Sequence, residues 1–94
     1  DTPIACAAYR KIEEGICELK RMYIKPQFRR RQIGQTLLDK LSNKARMNGY
    51  QLMRLDTLDS MLPALHLYRK NGFYEIPAYC HNPNEGVVYM EKTL

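Results

Sequence analysis

Along the chain the spacing of apolar residues changes from alternation to helical periodicity and back, and these changes mark out seven elements. Residues 4–9 are small or apolar, and residues 16–24 are rich in β-branched and aromatic types. Both predict strands on either side of the turn signal Glu13-Glu14-Gly15, and so an antiparallel hairpin. In the second of these strands apolar residues fall at Cys17 and Leu19, then at Met22 and Ile24, so the period of two slips by one residue. A β-bulge produces such a slip, and so does an edge strand with irregular patterning.

Ile33, Leu37, Leu38, Leu41 and Ala45 then recur at helical spacing and predict an amphipathic helix that stops at Asn48-Gly49. Residues 51–57 predict a strand, and its apolar start directly after a helix suggests a βαβ crossover with the new strand parallel to an earlier one. Asp59 or Ser60 is placed to cap a further helix. That helix has Pro63 in its first turn, an apolar side of Leu62, Ala64, Leu65, Leu67 and Tyr68, and a stop at Asn71-Gly72. Residues 73–80, a polar turn at 81–86 and an alternating strand at 87–92 complete the chain as a second hairpin. With no repeat, linker or low-complexity segment, the order ββαβαββ predicts one mixed-sheet α/β domain over residues 1–94.

Composition narrows the class. At 94 residues and 45% hydrophobic content the chain supports one modest core, since a domain of this size buries only about 60–65% of its unfolded surface. No run approaches the roughly 20 apolar residues of a membrane span, and residues 1–10 lack a basic region followed by an apolar run. A soluble cytoplasmic protein without a targeting segment is expected. Three cysteines (Cys6, Cys17, Cys80) without a Cys-x-x-Cys pair, and two distant histidines, favour reduced thiols over disulfides or a metal site. His66 is expected on a helix surface and His81 in a turn.

The net charge of +5 favours a polyanionic partner, and its placement says more than its size. Lys20, Arg21, Lys25, Arg29, Arg30 and Arg31 crowd the approach to the first helix, where the macrodipole already carries about half a positive charge. Residues 28–32 offer no Ser, Thr, Asp or Asn to cap the exposed amides. A phosphate at the helix start would accept from those amides and neutralise the arginines, and Gly34 would let it approach closely. A solvated basic loop is the other reading of the same residues.

The run Pro26-Gln27-Phe28-Arg29-Arg30-Arg31-Gln32-Ile33-Gly34-Gln35-Thr36-Leu37-Leu38 resembles the acetyl-coenzyme A signature of the GNAT superfamily of N-acetyltransferases, whose core is Gln/Arg-x-x-Gly-x-Gly/Ala. Here that core reads Arg29-x-x-Gln32-x-Gly34, with glutamine in place of the first glycine. Leu55-Asp56-Thr57 and the later Ala64-Leu65-His66-Leu67-Tyr68-Arg69-Lys70-Asn71-Gly72-Phe73 are similar to the family's next strand and its A-x-x-L-Y-x-x-x-G-F helix. Glu18-Leu19-Lys20-Arg21-Met22-Tyr23-Ile24 resembles the family's bulged strand. The matches run from the first hairpin onward, as in a small bacterial-type member without the first strand, two short helices and strand that usually precede this point.

The resemblance implies a GNAT fold whose sheet splays between residues 18–24 and 51–57, with the pantetheine arm of acetyl-coenzyme A in the wedge. Backbone groups of Met22, Tyr23 and Ile24 would pair with it. The amides from Arg30 through Gln32, Ile33, Gly34 and Gln35 would hold the diphosphate, and Arg29, Arg30 and Arg31 would supply charge, at least one of them remaining solvated. Direct transfer to an amine needs a base and an acid. Glu18 matches the family's base, a role that a burial-raised pKa would suit, and Tyr68 matches its acid. Alternatively Glu18 is an exposed strand glutamate paired with a lysine, and Tyr68 a core residue. An acyl-cysteine route through Cys17 or Cys6 is a minor option.

The expected activity is thus acetyl transfer from acetyl-coenzyme A to a primary amine, without a metal. A basic nucleic-acid-binding module, with Tyr9, Tyr23 or Tyr50 stacking on bases, and an inactive acyl-coenzyme A-binding domain are the alternatives. The first is disfavoured because the cations cluster at one helix start instead of striping a face. An uncovered sheet edge at residues 4–9 would favour a homodimer.

Overall fold

The computed structural model describes residues 5–24 and 32–94. Strands β1 (Ala5–Glu13) and β2 (Ile16–Ile24) form the expected antiparallel hairpin, closed at Glu14-Gly15 with Gly15 at φ 77°. β1 continues past residue 9, where the sequence pattern had ended it, because Arg10, Lys11 and Glu13 pair with Glu18, Cys17 and Ile16 of β2. Charged side chains on an edge strand are compatible with pairing on its other side. Cys6 opposes Tyr23 while Ala8 opposes Lys20, so two steps along β1 match three along β2. The extra residue in β2 is the bulge behind the slip in its apolar period.

Helix α1 (Ile33–Met47) buries Gly34, Leu38, Ser42 and Ala45; of the predicted stripe Leu38 and Ala45 are buried, while Ile33, Leu37 and Leu41 are half-buried beside them. It ends at Asn48, followed by Gly49 at φ 90°, with Lys44 and Arg46 in the last turn where the dipole favours cations. The crossover delivers β3 (Leu52–Leu58) parallel to β2, as expected. Helix α2 (Leu62–Lys70) buries Leu65 and Tyr68, whereas Leu62 is exposed, contrary to its expected place on the apolar side.

Neither Asp59 nor Ser60 caps α2: the N-cap is Met61, which makes no side-chain cap. Asp59 is engaged elsewhere, its amide donating to Gly86 O at 2.7 Å. Strand β4 (Tyr74–Ile76) is much shorter than the expected 73–80, since Pro77 has no N–H to continue a ladder. Strand β5 (Val87–Thr93) inserts between β3 and β4, giving the order β1-β2-β3-β5-β4.

Both crossovers step in the same direction across the sheet, so right-handedness puts both helices on one face. Leu38 and Ala45 of α1 and Leu65 and Tyr68 of α2 share one core with Cys17, Leu19, Met53, Leu55, Phe73 and Met90. The opposite face carries Ile16, Leu52, Leu58 and Val87 towards the strand ends and charged side chains between them. One row of directly opposed residues crosses it through all five strands: Arg10, Glu18, Arg54, Glu91 and Tyr74. Its partners include Arg10 with Glu18 at 3.0 Å, Arg54 with Glu91 at 2.8 Å and Tyr74 with Glu91 at 2.6 Å. Residues 77–86 fold over this face. Tyr79 hydrogen bonds to Glu18, Asn82 to Asp56, and the Cys80 carbonyl accepts from Tyr89.

Candidate active site

The β2–β3 ladder is short. Ile16, Cys17 and Glu18 pair with Leu52, Met53 and Arg54, and there the pairing stops. Beyond that point β2 follows β1 as far as Ile24 opposite Ala5, and β3 follows β5 as far as Leu58 opposite Val87. The two strands part into a wedge with Glu18 and Arg54 at its apex. The bulge lies on its β2 arm, between Lys20 and Tyr23, where the backbone positions Met22, Tyr23 and Ile24 singled out from the sequence begin.

At the start of α1, Gln32 takes the left-handed conformation, φ 58°, ψ 20°. For a residue with a Cβ this costs on the order of 1 kcal/mol relative to glycine. The position is the one at which the signature has its first glycine, so the departure in sequence coincides with a conformation suited to glycine. The first helical bond onto Gln32 O comes from Thr36 N at 3.1 Å, so the amides of Gln32, Ile33, Gly34 and Gln35 have no acceptor within the helix. Among the described residues no side chain caps them, and no acidic residue sits in the first turn.

The side chain of Gln35 is occupied. It exchanges hydrogen bonds with the Asn71 amide, at 2.5 and 2.8 Å, and donates to Asp39 at 2.9 Å. Asn71 also donates to Leu67 O at 2.8 Å, so an amide pair joins the start of α1 to the end of α2. Gln35 therefore offers a ligand its backbone N–H and not its carboxamide. Arg29, Arg30 and Arg31 lie outside the described residues, as do the side chains of Met22, Tyr23 and Ile24.

Glu18 is 1% exposed, which discards the picture of a solvent-facing strand glutamate, although its pairing with Lys20 at 3.4 Å is present. The expected burial-raised pKa is also corrected. Burial does push the carboxyl up and is the largest single influence, but hydrogen bonds from Tyr79 and Arg10, with the charge and hydrogen bond of Lys20, together outweigh it. The result is a carboxyl held below its ordinary value.

Tyr68 lies in the core, 6% exposed, with its ring edge-on to Phe73 at 5.6 Å. Burial raises its pKa, so the phenol keeps its proton through the neutral range. Among the described residues its hydroxyl makes no hydrogen bond to the protein. Cys17 is fully buried with its thiol pushed up to about 11 by burial, which leaves it protonated and poorly suited to an acyl-cysteine step. Cys6 has its side chain outside the described residues. His66 and His81 are exposed, as expected.

Tyr79 was not anticipated. Residues 73–80 read as one continuous strand, and the available signal was Pro77, which ends β4 and releases the chain across the polar face. Among the described residues no His, Cys, Asp and Glu cluster has the makings of a metal site, and no helix is long and apolar enough to cross a membrane.

The comparisons with known proteins agree with this architecture. Residues 1–75 match the acetyltransferase (GNAT) domain. An uncharacterised N-acetyltransferase of Schizosaccharomyces pombe is 40% identical over 90 residues, covering 95% of this chain and 55% of that protein. A candidate acyl-CoA N-acyltransferase from Klebsiella pneumoniae superposes with a TM-score of 0.90 at 39% identity, over 97% of this chain and 63% of that one. The PaiA N-acetyltransferase of Thermoplasma acidophilum, solved in complex with coenzyme A, superposes with a TM-score of 0.84 at 26% identity, over 97% of this chain and 54% of that one. The chain belongs to the GNAT acetyltransferase family, and it spans about half the length of the yeast relative.

Proposed function

We propose that residues 1–94 act as a single GNAT domain that binds acetyl-coenzyme A and transfers its acetyl group directly to a primary amine. The observation that carries this reading is the wedge: the β2–β3 ladder ends at Glu18 and Arg54, which puts a buried carboxylate at the apex of an opening lined by unpaired strand edges. Backbone groups of Met22, Tyr23 and Ile24 pair with the pantetheine amides. The N–H groups of Gln32, Ile33, Gly34 and Gln35 donate to the diphosphate, with Arg29, Arg30 and Arg31 adding charge. The coenzyme A in the Thermoplasma relative supports the same ligand here.

When bound, acetyl-coenzyme A supplies a thioester at whose carbonyl carbon a C–N bond to the amine forms and the C–S bond breaks. Glu18 takes the proton that the amine loses. Because its pKa is held low it is a weak base towards a free ammonium ion, but it suffices, directly or through a water, for a nitrogen made acidic by C–N bond formation. Tyr68, still protonated, gives its proton to the departing sulfur, and solvent restores both residues.

Calorimetric titration with acetyl-coenzyme A, 3',5'-ADP and a short RNA at two salt concentrations tests the reading. Saturable one-site binding of acetyl-coenzyme A that exceeds both competitors is expected. Stronger and steeply salt-dependent RNA binding would instead assign the arginines to nucleic acid.

A further inference from the structure

The Glu18 carboxylate is nearly saturated by protein donors. Oε1 accepts from Arg10 Nε at 3.0 Å and faces Lys20 Nζ at 3.4 Å, while Oε2 accepts from the Tyr79 hydroxyl at 2.6 Å. Each carboxylate oxygen offers about two lone-pair positions. Among the described residues Oε1 is therefore filled, and one position remains on Oε2. We propose that Tyr79 is a positioning residue for acetyl transfer: its hydroxyl fixes Oε2 so that the remaining lone pair meets the acceptor amine or the water that takes its proton. The proposal rests on the N-acetyltransferase reading and adds to it a residue outside both sequence motifs.

The geometry around Tyr79 is built to hold it there. β4 lies three strands from β2 in the sheet, about 14 Å at ordinary strand spacing, so the chain has to cross β5 and β3 to bring this hydroxyl to Glu18. On the way the ring meets Tyr89 of β5 edge-on at 5.5 Å, and the Arg54 guanidinium of β3 lies over it at 5.4 Å. Such contacts fix a ring more firmly than a lone hydrogen bond would.

The charged groups around Glu18 are Arg10 from β1, Lys20 from β2, Arg54 opposite it on β3, and Asp56, which reaches Lys20 at 3.9 Å. Burial first, then the Glu18 carboxylate, raise the Tyr79 pKa, with Asp56 and Cys80 adding to it. Tyr79 remains a donor across the working pH range and does not compete for the proton Glu18 receives.

The test is Tyr79→Phe, with Tyr89→Phe as a control that loosens the same loop at the Cys80 carbonyl without touching Glu18. Three readouts are needed: the Glu18 side-chain carbon titration by NMR, the pH dependence of transfer to the best amine from an acceptor panel, and acetyl-coenzyme A binding. For Tyr79→Phe the Glu18 midpoint should rise by about one pH unit. The acid limb of kcat/KM should move with it, and kcat/KM at its plateau should fall roughly tenfold. Cofactor binding should be unchanged, and Tyr89→Phe should move neither midpoint.

A shifted Glu18 titration with an unshifted rate profile would overturn the positioning role, as would unshifted values in both. Equal shifts in the two variants would reduce the effect to loop packing and overturn it too. Failure of the unaltered protein to bind acetyl-coenzyme A would instead defeat the underlying reading. Retained binding with unmoved profiles in Tyr79→Phe would defeat only the proposal.

Discussion

The two faces of this sheet are held by different forces. On one, α1 and α2 bury Leu38, Leu65 and Tyr68 against Met53, Leu55 and Met90, a packed apolar layer. On the other, Arg10, Glu18, Arg54 and Glu91 alternate in sign across the strands, and the covering element is a loop instead of a helix. The apolar face is therefore insensitive to pH and intolerant of lost volume. The polar face tolerates changes of volume better, but its cohesion depends on which carboxyls are ionised. The wedge opens at Glu18 and Arg54, on the row of charged residues that crosses the second face.

That contrast can be broken most severely at Leu38, which is fully buried. Leu38→Ala should cost about 2–5 kcal/mol in urea or thermal unfolding, equally at pH 5 and pH 7. Next comes Gly86, at φ 70°, where an added Cβ would lie 2.5–2.9 Å from the Asp59 carboxylate atoms. Gly86→Ala should cost about 2 kcal/mol, and Asp59→Ala in the same chain should recover the steric part but not the backbone part.

On the polar face Glu18→Gln should cost about 1–2 kcal/mol at neutral pH, since Arg10 and Lys20 are partly solvated and rehydrate when released. The sign with pH follows from a folded-state pKa below the unfolded one. Glu18 contributes its full stabilisation above about pH 4.3, its unfolded value, and loses it as pH falls through the lower folded value. The unaltered protein should lose stability in that acid window, and Glu18→Gln should flatten that part of the curve. A curve of equal slope in both proteins would remove Glu18 as the source. The smallest effect expected is a gain: Gln32→Gly should raise stability by about 0.5–1 kcal/mol by relieving the left-handed strain.

Most of the apolar face was legible in the sequence because it repeats a period. Ile33 to Ala45 declared α1, Asn48-Gly49 and Asn71-Gly72 declared both helix ends, and the slip between Leu19 and Met22 offered the bulge as one of two readings. The polar face was less legible, since it depends on which residues of separate strands stand opposite one another. Glu18 was identified as a candidate, yet its pKa direction depended on Arg10 and Tyr79, eight and sixty-one positions away. Residues 73–80 misled for a local reason: β-favouring types on both sides of Pro77 hid the point where the chain leaves the sheet. The Asp59 cap failed because its carboxylate is packed against Gly86, a pairing between two loops that no local pattern announces.

The amide pair between Gln35 and Asn71 bears on how this protein could be re-engineered. It ties the residue closing the first turn of α1 to the residue ending α2, three positions after Tyr68. The mouth of the site and the helix that carries the phenol are thereby not interchangeable modules. A helix opening transplanted from another family member would have to bring a matching partner at position 71, and a library that varies the two positions separately would sample mostly broken pairs.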